Sequence, residues 1–485
     1  MARQRRCWSA VVLLLLGPAF VRPLLRLKAT GTDSSVSSSS GLALWLLENG
    51  AELNPRASVR EDDAGRGIWS TGTLERDAEV ARVPWKLLLT RASAQDALKL
   101  SSEIGEYPSM ALQLIHEKYM LASHSFWHSY LEMLPEIDDI GASFTWKDED
   151  LELLSGSLIK NMSKFLREKI EEEYLSITKT VFAKNPDRFP ADVFTLPRFL
   201  WAYAVLLSRA FRLRVNGKEE VIALVPWIDF MNHDPDSKAY VSATQEVSGA
   251  MVLLKTDRSY KGNEQIFDSY GRRSNDELLL LYGFSLARNV HNFVEISLLD
   301  LWSQTSLASA KKTWLKVQGA DVDEMQSLCL PRGYWPQEVM LLMRLLVLRP
   351  RDWKREGNLL QSLSDLGMKK AFDAKVEKRA LLALRQLCEE VLERCPEELQ
   401  KKDAKMMTDP AFESLTYKEK CAIMTRHGEV NVLKTNLRRI DRLLKHIPFV
   451  FDQKEARRQQ IFPGLAEDSK PRDFDIFMKE FAFDD

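Results

Sequence analysis

The feature that most constrains this chain is a helical tract wedged between two strand-patterned blocks. Between Ser93 and Phe211 the apolar residues recur at helical spacing: Phe199, Tyr203, Leu206 and Ala210 fall at i, i+4, i+7 and i+11, along one face. On either side the pattern changes to short strands and turns. Gly65 to Thr90 reads as strands, with Val83-Pro84 interrupting the ladder. Val221–Val225, Met251–Thr256 and Gln265–Tyr270 read as strands too, with Gly262-Asn263 supplying a turn before the last. Strands so far apart in sequence must meet across the helices that separate them. The expected class is therefore α+β: a β fold interrupted by a helical insert over about residues 93–211, preceded by a short helix from Gly41 to Asn49.

After about residue 296 the pattern reads as helix throughout, which predicts an all-α second domain to about residue 450. Leu381, Leu384, Leu387, Cys388, Val391 and Leu392 form one apolar stripe, and a similar one runs through Leu433 to Leu444. From Pro448 periodicity is lost, so residues 451–485 are expected as an acidic, aromatic tail. No repeat at solenoid spacing stands out.

With 485 residues the chain is long enough for two or three domains, and its formal net charge of −1 gives no field that would draw it to nucleic acid or a membrane surface. The five cysteines (Cys7, Cys329, Cys388, Cys395 and Cys421) show no CxxC or Cys/His spacing, so no metal site is expected and a thiol-reducing compartment fits. The first forty residues read as a targeting presequence. Arg3, Arg5 and Arg6 precede a short apolar run, Ala10 to Leu16, and Gly17-Pro18-Ala19 offers small residues for cleavage. The run is too short to span a bilayer comfortably. Phe20 to Ser40 carries Arg22, Arg26, Lys28 and many Ser and Thr but only one acid, Asp33, which is transit-peptide composition. The succession, with Phe20-Val21-Arg22-Pro23 at the junction, resembles the bipartite presequence of complex plastids. The secretory pathway and the cytoplasm are the alternatives.

Four stretches carry the chemistry. They are Gly65-Arg66-Gly67-Ile68, Ser208-Arg209-Ala210-Phe211, the run Val225 to His233 with Asn232-His233 at its end, and Phe267-Asp268-Ser269-Tyr270-Gly271 followed by Ser274-Asn275 and Tyr282-Gly283-Phe284. In this order and spacing the chain resembles the SET-domain methyltransferases of the Rubisco large-subunit methyltransferase type. Val83 to Leu88, and Phe126-Trp127 before Leu134-Pro135, also look like family stretches. The resemblance covers about residues 41–300 by motif and reaches about 450 through the helical region.

That resemblance implies a SET-type β fold with a pseudoknot, in which the Asn232-His233 segment threads a neighbouring loop, and S-adenosyl-L-methionine as cofactor. It implies that Ala64, Gly65, Arg66, Arg209, Asp229, Asn232 and His233 hold the cofactor. It places Ser208, Arg209, Phe211, Asp229, Tyr240, Tyr270 and Tyr282 around the acceptor side chain, with Tyr270 as the catalytic residue. The implied reaction is methyl transfer to a lysine of another protein, Rubisco large subunit or another stromal enzyme such as an aldolase. A monomer without nucleic-acid partner or membrane span is expected. Histidine as acceptor, or a silent SET-like binding module, are the alternatives. The apolar Phe211 cannot hydrogen-bond an imidazole nitrogen, which favours lysine. Ala64, Arg66, Asp234, Asp268 and Ser269 depart from residues common in the family. Because every motif stretch precedes residue 300, a fragment ending there is expected to bind cofactor by itself.

Overall fold

A computed structural model describes residues 35–62, 65–215, 219–246, 249–317, 327–333, 335–355 and 374–458. Residues 1–34, which hold most of the expected presequence, Ala64 and residues 459–485 lie outside these. The described residues fall into two compact units. The first runs through Ala287 and takes back Met406–Thr425; the second comprises Arg288–Lys405 and the chain from Arg426.

The first unit opens with helix α1 (Ser35–Glu48), so the serine run assigned to the leader is already helical from Ser35. Strands β1 (Glu52–Leu53), β2 (Ala57–Asp62), β3 (Gly65–Ser70), β4 (Glu79–Pro84) and β5 (Leu89–Thr90) follow, before the insert. Pro84 ends β4 opposite Met251 rather than interrupting it, since a strand end leaves its missing N–H unneeded. The insert contains α2 (Glu106–Ile115), α3 (Ile159–Thr180) and α4 (Leu196–Arg209). Pro197 sits in the first turn of α4, where no intrahelical N–H is required, and Phe199, Trp201, Ala202, Tyr203, Val205 and Leu206 are buried along it. At Ala210 the backbone turns extended and feeds directly into β6 (Phe211–Val215).

Beyond the insert come β7 (Glu219–Leu224), β8 (Asn232–His233), β9 (Tyr240–Glu246), β10 (Gly249–Lys255) and β11 (Gln265–Asp268). They join the earlier strands in two sheets, ordered β1-β4-β10-β9-β6-β7-β5 and β2-β3-β11-β8. Strands from both sides of the insert thus pair directly, as with Val83 opposite Val252 and Leu89 opposite Leu224. Apolar residues buried by these pairings, Val80, Val83, Leu224, Val252 and Leu254, are nearly inaccessible to water. Burial of that kind contributes about 25 cal/mol per Å² of apolar surface and offsets the entropy of closing so long a connection.

The second unit is mainly helical, with one correction to the all-α expectation. Strands β12 (Phe293–Ser297) and β13 (Ser327–Pro331) form an antiparallel ladder in which Val294 and Ile296 lie opposite Leu330 and Leu328, all four buried. Each alternation is short and its partner is distant, so neither strand announces itself against the surrounding helices. Helix α5 (Gln337–Val347) buries Val339, Met340, Met343 and Leu346; α6 (Ala374–Leu392) buries Leu381, Leu384, Cys388 and Val391 from the expected stripe. Arg344 and Glu377 meet between them at 2.8 Å, both buried. Helix α7 (Tyr417–Arg458) passes through Pro448 to Arg458, beyond the point where periodicity fades. No helix among the described residues is long and apolar enough to cross a membrane.

Candidate active site

Three of the four motif stretches become neighbours through the smaller sheet. β8 runs parallel to β11, with Asn232 opposite Phe267 and His233 opposite Asp268. β11 pairs antiparallel with β3, Ile266 facing Ile68. The Asn232 side-chain amide donates to the Arg66 carbonyl at 3.0 Å, tying the first stretch to the third. A Cβ on Gly67 would fall 2.4 Å from Gln265 Nε2 and 3.0 Å from Asn232 Nδ2, so any larger residue would require the Gln265 side chain to move. The run into β8 turns sharply at Trp227, a buried non-glycine residue with φ of 75°. Such a conformation persists only where the surroundings over-determine it, and it delivers Asp229 into the interior.

A small cleft opens where these strands meet the end of α4. Arg66, Ser208, Arg209, Asp229, Asn232 and Tyr270 all line it, together with Pro135, Asp139 and Ile140 from the insert. Arg209 Nη1 donates to the Asp229 carbonyl at 3.0 Å and lies 3.9 Å from Asp229 Oδ2, with its guanidinium over the Phe230 ring. Asp229 Oδ2 also accepts a 2.6 Å hydrogen bond from the buried Tyr130 hydroxyl. Burial pushes the Asp229 carboxyl up to about 6, against the opposing pull of Arg209 and Tyr130. Two buried polar atoms here have no hydrogen-bond partner, Arg209 Nε and Asp229 Oδ1.

Opposite them stands a stack of rings. Tyr270 lies between His233 and Tyr282, with centroid separations of 5.0 and 4.7 Å, and Phe284 meets Tyr270 edge-on. The Tyr270 hydroxyl donates to the Met231 carbonyl at 2.7 Å, while its backbone N–H donates to His233 Nδ1 at 3.0 Å. His233 therefore acts through Nδ1 as an acceptor that holds Tyr270 in place. The mount for Tyr282 and Phe284 is a short helix whose start is a capping box: Ser274 Oγ accepts from the Glu277 N–H, and Glu277 accepts from the Ser274 N–H. It widens into a π-type turn, Leu278–Tyr282, and ends on left-handed Gly283. Burial raises the Tyr282 hydroxyl above its ordinary range, so it stays protonated.

Other expected residues stand differently. Ser208 Oγ donates to the Ala204 carbonyl of its own helix at 2.6 Å, so its hydroxyl is committed there although it lines the cleft. Gly65 starts β3, opposite Asp62. Phe211 opens β6 opposite Ala223 and is not among the cleft-lining residues. Tyr240 stands apart from the stack, beginning β9 opposite Lys255 with 59 % of its surface exposed. Ala64 lies outside the described residues. Sequence reasoning missed Tyr130, the Met231 carbonyl, Asp139 and Ile140. Met231 lies inside a motif run, but nothing local marks Tyr130 as the partner of an acid 99 positions away. Among the described residues no group of three or more His, Cys, Asp or Glu could hold a metal ion.

Strands paired across a helical insert, the parallel β8–β11 pair, and a cleft lined by Asn232 and by a Tyr270 stacked on His233 are the arrangement expected of a SET-domain protein. Residues 303–433 match the family model described as Rubisco LSMT substrate-binding. The ribulose-1,5 bisphosphate carboxylase/oxygenase large subunit N-methyltransferase, chloroplastic, of Pisum sativum is 30% identical over 347 residues, covering 65% of this chain and 68% of that protein. The [fructose-bisphosphate aldolase]-lysine N-methyltransferase, chloroplastic, of Arabidopsis thaliana is 31% identical over 253 residues, half of each chain. Among solved structures, the SET domain of LSMT bound to lysine and AdoHcy superposes with a TM-score of 0.73 at 22% identity, covering 85% of this chain and 93% of that one. The chain belongs to the SET-domain methyltransferases of the Rubisco large-subunit methyltransferase type.

Proposed function

We propose that the chain transfers a methyl group from S-adenosylmethionine to a lysine side chain of another protein. The observation that carries this reading is the cleft in which a cation and an acid with unsatisfied buried atoms face a tyrosine fixed at its hydroxyl. Arg209 Nε and Asp229 Oδ1 offer a donor and an acceptor that suit the carboxylate and ammonium of an amino-acid moiety. Asn232, His233 and the Gly65-Arg66-Gly67 strand would wall the remainder. When bound, the cofactor supplies an electrophilic methyl group on a sulfonium.

The protein's own part is to bring in the amine, hold it in line and present it neutral. An exposed lysine has a pKa near 10.4, so losing its proton at pH 7 costs about 4.6 kcal/mol. Exclusion of water among the Tyr270, Tyr282 and Phe284 rings lowers that figure by disfavouring the ammonium. The Tyr270 hydroxyl donates its hydrogen bond to the Met231 carbonyl, so its oxygen is oriented to accept from the incoming N–H. Lysine is favoured over histidine because the Arabidopsis relative is a lysine enzyme by name.

The acceptor is a protein held through the region 303–433, and a plastid setting fits both the presequence pattern and the chloroplastic relatives. Rubisco large subunit and aldolase are the first acceptors to assay. Tyr270→Phe should lower turnover about 100-fold or more, the effect of losing one preorganised polar group, while S-adenosylmethionine binding by calorimetry stays within a few-fold. A variant that turns over at the native rate would remove Tyr270 from the reaction.

A further inference from the structure

Asp229 has a partner to which the reading above gives no part. Tyr130 belongs to the short insert helix His128–Leu131, is fully buried, and donates from its hydroxyl to Asp229 Oδ2 at 2.6 Å. Its ring meets Phe230 edge-on, with centroids 6.4 Å apart. The segment that carries it is held at both ends. Trp127 Nε1 donates to the Leu87 carbonyl at 2.9 Å, and the Met133 carbonyl accepts from Arg66 on β3. Asp229 itself lines the cleft, and its Oδ1 is buried without a hydrogen-bond partner. The two oxygens are thereby distinguished: Oδ2 is occupied by Tyr130, and Oδ1 is left for a ligand. Burial raises the Tyr130 hydroxyl well above its ordinary range, so it remains a donor. A donor to a carboxylate favours the ionised form. When Asp229 is protonated, the proton belongs on Oδ1, because Oδ2 already accepts one, and there it opposes an incoming ammonium.

We propose that Tyr130 is a positioning residue for the cofactor, holding Asp229 ionised and turned so that Oδ1 receives the ammonium of the amino-acid moiety of S-adenosylmethionine. The inference rests on the methyltransferase reading of the same cleft. Tyr130 is not among the cleft-lining residues and acts only through Asp229. The charged and titratable groups about Asp229 are Arg209 from the end of α4, Arg66 from β3 and Tyr130 itself, while Asp139 and Tyr270 share the cleft. Both arginines favour the carboxylate, as Tyr130 does, and burial opposes all three. Without the Tyr130 hydroxyl, the carboxyl, already pushed up to about 6, should rise further. Binding that needs the ionised form should then weaken most on the acid side and recover as pH rises.

The test is calorimetric binding to the full chain and to Tyr130→Phe between about pH 6 and 9. The probes are S-adenosylhomocysteine and 5′-methylthioadenosine, which lacks the amino-acid moiety. The amine of S-adenosylhomocysteine titrates alike in both experiments, so the ratio of the two affinities reports on the site. The variant should bind S-adenosylhomocysteine about tenfold more weakly near pH 6 and within about twofold of native near pH 9. Its affinity for 5′-methylthioadenosine should match the native value throughout. Tyr130→Leu serves as a second variant lacking the donor, and melting temperatures establish which is folded. A folded variant that loses nothing, loses affinity equally at every pH, or loses 5′-methylthioadenosine to the same extent overturns the assignment of Tyr130 while the methyltransferase reading stands. If the native protein does not bind S-adenosylhomocysteine at all, that reading falls and takes this one with it.

Discussion

Asp229 accepts a hydrogen bond from Tyr130, lies beside Arg209, and still has one buried oxygen unpaired. Its carboxyl sits at about 6 rather than the ordinary 3.8 because burial outweighs those partners. The folded protein thus binds this proton more tightly than the unfolded chain does. The stability it contributes is full below about pH 4 and is lost as pH rises through about 6. A displacement of that size corresponds to at most about 3 kcal/mol. In scanning calorimetry of the ligand-free protein, Asp229→Asn should gain melting temperature relative to the native chain between about pH 4 and 7, with the gap constant above. Saturating S-adenosylmethionine should narrow the gap, since the charged carboxylate then has an ammonium to face. A gap that moves the other way with pH would mean that the ionised carboxylate is already well satisfied.

At the scale of elements, the segment from Ser274 to Phe284 shows why some parts of the site can be read directly from sequence. Ser274 and Glu277 spell a capping box, Gly283 supplies the left-handed stop, and Tyr282 and Phe284 lie beside that stop. Everything needed is local, so the motif is legible as a string. The Asn232-His233 and Gly65–Ile68 stretches are legible for the same reason, although only the parallel and antiparallel pairings of β11 reveal that they touch. Long-range partners are not legible: Tyr130 reaches Asp229 across the insert, and β12 finds β13 across two intervening helices, Leu299–Gln304 and Ala308–Val317. The order of elements within the insert follows its helical period, but which helix ends at the cleft depends on packing that periodicity does not encode. Gly283→Ala tests the mount. At a φ of 77°, a Cβ would come 1.8 Å from the Ile140 carbonyl oxygen, so either the turn or the end of the short helix Ile137–Ile140 must shift. Urea unfolding should show a loss of about 3 kcal/mol or more, whereas Ser274→Ala should cost about 1 kcal/mol. Equal, small effects for both would mean that the turn is looser than its contacts indicate.

The whole molecule departs most clearly from what the order of motifs suggests. Every motif stretch precedes residue 300, which makes a fragment ending there look self-sufficient. Yet Met406–Thr425 belongs to the first unit. Tyr417 donates to the Gly283 carbonyl at 2.8 Å and packs against Leu278, Phe284 and Leu286, while Lys418 pairs with Asp150 at 2.5 Å. Ser285 and Thr425 share a 2.8 Å hydrogen bond. A fragment truncated near residue 300 loses these supports beneath Tyr282 and Phe284. It should melt at lower temperature and bind S-adenosylmethionine more weakly than the full chain; native values for both would show the returning segment to be dispensable. The central claim, protein-lysine methylation at this cleft, is tested most directly by mass spectrometry of plastid proteins incubated with S-adenosylmethionine and either the native chain or Tyr270→Phe. Methyl groups should accumulate on lysines of a small set of proteins with the native chain and remain at background with the variant. Methylation that is absent with both, or that falls on histidine instead, would contradict it.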